Sequence, residues 1–442
     1  MRRRSIVSAC LLVWGASGCG TERPIAGSDA VEGAEGCPLV PDLDSLPVAS
    51  VALEFEIGTV DGDSVSTFGR ITDVALLSDG SLAVADGMRR QILRIGPTGE
   101  LLNRIGRPGD GPGEYRYPWA IEALADDRVA VFDPVLWRIS TFAMDGTLVG
   151  EDFPDPEPEF GQNPEVRFDA RGRLFNLSFS SYQESLIEDV GGRRGLGRGT
   201  VSVNRWDAVE RTWLRYVDTP GPEVYLDLES GTIVDVLGSK KTVWDVDAEG
   251  QVVFVDNQGL TVQRVRDAGL GPTCLGSRST VVERLGPEAE KSYYGAADLS
   301  PETPSDLVRQ TRATRRNIPL PSTLPTADLI VVDTEGHIWI RLAPPYPRPT
   351  RARWLRLPAR DAAPVTAEPP IYFRPEVIDP PRWIGSDRGA FDIPVIRGFV
   401  VSDPERVALR APAAIGPGGP GSTARRPRAA PAPAQANHGH GW

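Results

Sequence analysis

The residue types that do chemistry are unevenly supplied in this chain. Its 442 residues include 60 Asp and Glu but only 3 His and 4 Cys. Zinc enzymes need several imidazole or thiolate ligands, yet only His337 lies in the body of the chain, with His438 and His440 in the closing "NHGHGW". A Ser-His-Asp triad would have to use His337, and nothing in the sequence places a nucleophile beside it. Carboxylate chemistry is what remains. Asp86, Asp133 and Asp256 recur at matched positions, and calcium, which takes oxygen ligands, is the one cofactor such residues could hold. Each of the three also ends an apolar run, where a carboxylate commonly accepts backbone N–H groups of the following loop. Capping is the preferred reading, with metal contact as the alternative.

A second group combines aromatic rings with guanidinium groups: Arg89, Arg90, Tyr115, Arg116, Tyr117, Trp137 and Arg138. Large rings with Arg on adjacent loops suit capture of an extended or sugar-like partner. The glycines of "GDGPGEY" nearby do not make a phosphate cradle, because no Lys-Ser/Thr follows and no helix opens there.

These residues must be positioned by repeated strands. "DVALLSDGSLAVADGMRRQILRIGPTGEL" (73–101) aligns without a gap to "AIEALADDRVAVFDPVLWRISTFAMDGTL", 47 positions later. Further copies start at "VRFDARGRLFNLSF", "VWDVDAEGQVVFVDNQGLTVQRV" and "LIVVDTEGHIWIRL". Short alternating apolar runs at such a period predict propeller blades, and the Asp-Gly and Glu-Gly pairs supply their hairpins. The fold class expected is all-β: a six-bladed β-propeller over 50–410, with a partly helical insertion at about 283–322 and disordered termini. The sixth blade is expected to be composite, pairing 50–58 with a strand from 383–410. Residues 411–442, rich in Pro, Ala and Gly, should be disordered. In a blade, the loop after the second strand and the crossover to the next blade share one side, the upper face. Arg89, Arg90, the 107–118 crossover, Trp137 and Arg138 fall there, and the "SDG" and "GPTG" turns on the other side.

The first twenty residues give an address. Arg2 to Arg4 precede a short apolar core, too short to span a bilayer, so 1–18 reads as a cleaved signal. "Ala-Ser-Gly-Cys" resembles the lipobox of bacterial lipoproteins, which implies lipidation at Cys19, a tether over 19–49 and contact with the membrane only through the lipid. The Gly20 that follows implies the outer membrane. Cys37 and Cys274 are then left either to pair or to stay free in an exported compartment. The net charge of −12 disfavours nucleic acid as a partner.

"RIGRPGDGPGEYRYP" (104–118), after "DGSLAVAD", resembles the crossover loop of the bacterial six-bladed, NHL-like β-propeller lipoproteins. The resemblance covers about residues 50–360, and the C-terminal part departs from the usual closing pattern. It implies a propeller in the cell envelope. Together with the residues above it leads to two functional expectations. The first is a non-catalytic propeller binding an envelope protein, peptide or glycan through its upper face. The alternative is a calcium-dependent lactonase or hydrolase using channel carboxylates.

Overall fold

The computed structural model describes residues 37–58, 67–156, 164–236, 238–278, 286–294, 304–316, 318–320, 323–343, 350–359, 363–389 and 393–402. The signal 1–18, Cys19, the first part of the expected tether, and the tail 411–442 with His438 and His440 lie outside them.

The repeat folds as small antiparallel sheets. The first contains Ile71–Leu76, Leu82–Asp86, Gln91–Ile95 and Leu101–Ile105 in sequence order, and the second Ala120–Leu124, Arg128–Asp133, Arg138–Ala143 and Leu148–Asp152. The hairpins joining the first two strands demand a left-handed residue. Gly80, Gly172, Gly250 and Gly336 supply it at φ of +82°, +76°, +87° and +81°, and Asp127, which aligns with Gly80, adopts +59°.

The fourth sheet is Thr242–Val246, Val252–Asp256, Leu260–Val265 and Thr273–Arg278. Two further units follow. One holds Ala327–Val332, Ile338–Leu342, Trp354–Leu357 and Val365–Ala367. The other holds Arg374–Asp379, Arg382–Arg388 and Pro394–Ser402, completed by the N-terminal strand Val48–Ile57. That strand runs antiparallel to Pro394–Ser402 from Ser50 opposite Ser402 to Ile57 opposite Ile396, the closure expected from the sequence. It also touches the preceding unit, with Val48 and Ala49 parallel to Thr366 and Ala367.

Alternation puts one face of each sheet against each neighbour. Ala83, Ile92, Val131 and Phe142 fill the space between first and second sheets. Phe132, Leu174 and Trp206 fill the next, and Phe175, Trp244 and Val252 the one after. Trp339, Trp354 and Trp383 meet edge to face further on. Val84, Leu93, Ile384 and Ile396 pack the last unit back on the first. The arrangement is propeller-like and almost wholly β.

The third sheet departs from the expected repeat. Val166–Phe168 and Leu174–Ser178 are followed by helix α1 (Tyr182–Val190), then by a long hairpin, Arg194–Asp207 with Thr212–Asp227, and a short strand Thr232–Asp235. Glycines let α1 lie on this ribbon: a Cβ at Gly199 would fall 2.2 Å from Tyr182 O, and one at Gly221 2.7 Å from the Tyr182 ring. The expected insertion does hold helices, α2 (Pro287–Tyr294) and α3 (Ser305–Arg315). No helix among the described residues is long and apolar enough to cross a membrane.

Residues 37–47, expected as the end of a tether, are instead bound to the sheets. Cys37 and Cys274 form a disulfide with Cα atoms 5.4 Å apart. Val40 N–H donates to Ser277 O at 2.9 Å and Ser277 N–H to Pro38 O at 2.8 Å. Arg353 reaches Asp44 at 2.7 Å. The segment is a strap from the fourth sheet across to the closing strand, so ordered structure begins well before residue 50.

Candidate functional site

The aspartates at the ends of second strands organise the upper loops. Asp86 is fully buried, and its carboxylate accepts the N–H groups of Gly69 at 2.8 Å, Arg70 at 2.9 Å and Arg89 at 3.2 Å. Asp133, the equivalent residue one repeat on, accepts from Arg116 at 2.6 Å, Tyr117 at 2.9 Å, Val135 at 2.8 Å and Leu136 at 3.1 Å. Each therefore ties a hairpin to the segment entering the same sheet. In the fourth sheet this work falls to Asn257, whose side chain accepts from Lys241 N–H at 2.5 Å and donates to Ala327 O at 2.8 Å. Asp256 pairs with Arg198 of the long ribbon at 2.7 Å. The three aspartates sit on different sheets, and among the described residues no three His, Cys, Asp or Glu side chains could jointly hold a metal ion.

Two of the residues expected to contact a ligand are structural, which corrects the sequence reading. Tyr115 is 2% exposed. Its hydroxyl donates to Ile105 O and accepts from Ile92 N–H at 3.0 Å. Arg138 is 5% exposed. It donates to the carbonyls of Glu114 and Asp110 and pairs with Glu151 at 3.3 Å, so it fastens the 107–118 crossover to the second sheet. Trp137 is half-buried, edge-on to Phe132 at 5.8 Å. Arg89, Arg90 and Arg116 are exposed, and Arg116 forms a fork with Asp110. Tyr117 stacks on Trp119 with centroids 5.8 Å apart, and the Arg70 guanidinium lies 5.7 Å from the Trp119 centroid. Arg70 and Trp119 were not anticipated. They come from the residues just ahead of inner strands, where the repeat carries no pattern.

A cavity of about 1060 Å³ lies between the inner strands. Arg70, Trp119, Lys241 and Arg374 line the end where those strands begin, which is the upper end. Further along the strands come Asp73, Glu122, Arg167, Asp245 and Glu376. Asp73 accepts from Val74 and Ile121 N–H, both at 2.9 Å. Asp245 accepts from Val332 N–H at 2.7 Å and pairs with Arg167 at 3.1 Å. Glu376 lies 3.3 Å from both Arg374 and Ser386 Oγ. Glu122 has no such cation; the charges acting most on it are the carboxylates of Asp73, Asp245 and Asp169.

Confinement among carboxylates shifts their titration. Burial, then the charge of Glu376, pushes Asp73 up to about 7. Burial, then Asp73, raises Glu122 well above the usual carboxylate range. Asp245 is raised by burial, with Arg167 opposing. Asp73 and Glu122 retain accessible surface because they face the cavity, but the surrounding protein still takes the place of most of their hydration. Such a wall can hold a proton at neutral pH or a cation in its stead. The signal in the sequence is one charged residue inside each of several apolar inner strands ("TDVAL", "IEAL", "VRF", "WDV", "PEV"). His337 stands at the opposite end, with Nδ1 3.0 Å from the buried Asp333.

No family model and no curated protein matches the chain. Among solved structures, it is similar to a gluconolactonase from Xanthomonas campestris at 10% identity and TM-score 0.40, over 85% of this chain and 99% of that one. It is also similar to virginiamycin B lyase from Staphylococcus aureus at 13% identity and TM-score 0.37, covering 79% and 99%. A calcium-binding protein, regucalcin, from Agrobacterium tumefaciens matches at 11% identity and TM-score 0.34, covering 76% and 95%.

Proposed function

We propose that this chain is a six-bladed, NHL-like β-propeller lipoprotein of the bacterial cell envelope, held at the outer membrane through Cys19. On this reading it binds a protein, peptide or glycan through its upper face, without catalysis. One observation carries the reading: Arg70, Tyr117 and Trp119 form a stacked group at the mouth of the cavity. Exposed Arg90 and Arg116 belong to the same set of loops. Rings held by a rigid scaffold give contact area at little entropic cost, and guanidinium groups beside them fix orientation by charge-assisted hydrogen bonds. The count of six takes the strand Val48–Ile57 as the outer strand of the last blade.

The test is capture from envelope extract by wild-type protein and by Arg90→Ala with Arg116→Ala. Both are surface changes, so the double variant should fold normally and retain at most a small part of the captured set. An undiminished set would remove this face from consideration. Cys19→Ser should in parallel release the protein from the membrane fraction, and unchanged fractionation would defeat the anchoring half.

A second reading, a calcium-dependent lactonase or hydrolase, draws support from Asp73, a cavity carboxylate whose pKa of about 7 suits a general acid or base. One calcium retained by the purified protein, and lost on Asp73→Asn, would favour it over the first.

A further inference from the structure

We propose that the cavity receives the free amino end of a short extended peptide, with its ammonium group seated against Asp73 and Glu122. The proposal rests on the reading of the upper face as the binding face and names the chemistry of what enters there.

The interior is electrostatically incomplete on one side. Arg167 answers Asp245 and Arg374 answers Glu376, while Asp73 has backbone N–H donors and Glu122 has carboxylate neighbours. These two come from the inner strands of adjacent sheets, Ile71–Leu76 and Ala120–Leu124. An ammonium group carries three donors on one compact charge, and ionised carboxylates have lone pairs to spare for it. Without it, burial and mutual repulsion favour protons on these groups, so an incoming ammonium replaces protons that are already held there.

The upper end of the cavity carries the opposite sign. Arg70, Lys241 and Arg374 line it, and the side chains of Lys241 and Arg374 are 43% and 52% exposed. A polycation would be repelled at this rim. A molecule with one leading ammonium, followed by carbonyl groups and ending in a carboxylate, matches both tiers. Arg70 and Asp73 are three residues apart on one extended strand, roughly 10 Å at about 3.3 Å per residue. A peptide of about three residues spans that distance. The cavity of about 1060 Å³ is at the upper end of the range for small-ligand sites.

The experiment is calorimetric titration of trialanine and of N-acetyl-trialanine into the full-length protein. Trialanine should bind, and acetylation, which removes the ammonium, should weaken binding at least tenfold. Glu122→Gln should do the same with an unchanged circular dichroism spectrum. If that variant does not fold, methylammonium should compete with trialanine for the wild type. Equal binding of both peptides, no binding of trialanine at millimolar concentration, or no effect of Glu122→Gln in a folded protein would each overturn the proposal. Failure here while Arg90→Ala with Arg116→Ala still abolishes partner capture would overturn only the amine site. Retention of trialanine binding by that double variant is the expected result and separates the cavity from the outer face.

Discussion

The carboxylate of Asp73, on the inner strand of the first sheet, accepts the backbone N–H of Ile121, on the inner strand of the second, at 2.9 Å. Asp245 makes the same link to Val332 of the next unit at 2.7 Å. A carboxylate in the apolar lining of a propeller-like fold therefore does two things. It fastens neighbouring sheets at their inner edges, where no ladder joins them, and it places negative charge in the cavity.

Burial of Asp73 makes stability depend on pH in a definite direction. Its pKa rises from 3.8 to about 7 on folding, so between about pH 4 and 7 the folded state holds a proton that the unfolded chain has released. Stability then falls as pH rises through that window and levels off above it. Glu122 and Asp245 shift the same way. The melting temperature should be a few degrees higher at pH 5 than at pH 8, and Asp73→Asn should flatten the slope. A steeper slope in the variant would contradict the assignment.

Ring closure rests on the strand Val48–Ile57. Deleting 48–57 exposes the edge of Pro394–Ser402 and uncovers Phe399 and Val401. Melting should fall sharply and aggregation rise, since an open strand edge templates further pairing. Removal of 411–442 should leave melting unchanged. Equal behaviour of the two truncations would refute this closure.

The strap depends on the Cys37–Cys274 bond, which closes a sequence separation of 237 residues. Replacing both cysteines by Ser should cost about 2–5 kcal/mol, the usual range for a native bridge. Denaturant titration would read this as a lower midpoint. An unchanged midpoint would mean that the hydrogen bonds to Ser277 and the Arg353–Asp44 pair hold the strap unaided.

Tyr115 and Tyr117, two residues apart, should separate stability from binding. Tyr115→Phe leaves the buried Ile92 N–H without its acceptor, at about 1–3 kcal/mol, and should not alter partner capture from the folded protein. Tyr117→Ala should weaken capture with a smaller loss of stability. The reverse pattern would misplace the site.

The sequence made the repeat legible because the lower hairpins need a left-handed residue, and Gly80, Gly172, Gly250 and Gly336 mark each one. Even the exception, Asp127, keeps the backbone conformation of its Gly80 counterpart. The long ribbon and α1 were missed because Gly197, Gly199 and Gly221 break the strand pattern. Those glycines serve tertiary contact with Tyr182, Leu186 and Val190, which no local period records. The candidate site was half legible. Loop residues Arg90, Arg116 and Tyr117 could be picked by type and loop position, whereas Tyr115 and Arg138 share those types and are spent on buried backbone groups. Asp73 and Glu122 follow no repeat: the first aligns with Ala120, one strand out of step with Glu122.

Site-directed photo-crosslinking in living cells tests the upper-face account most directly. A photoreactive residue would replace Arg90 or Tyr117 on the upper loops, or exposed Thr98 on the hairpin at the opposite side. The account predicts a discrete crosslinked partner from Arg90 and Tyr117 and none from Thr98. Crosslinks from Thr98 alone, or equally from all three positions, would contradict it.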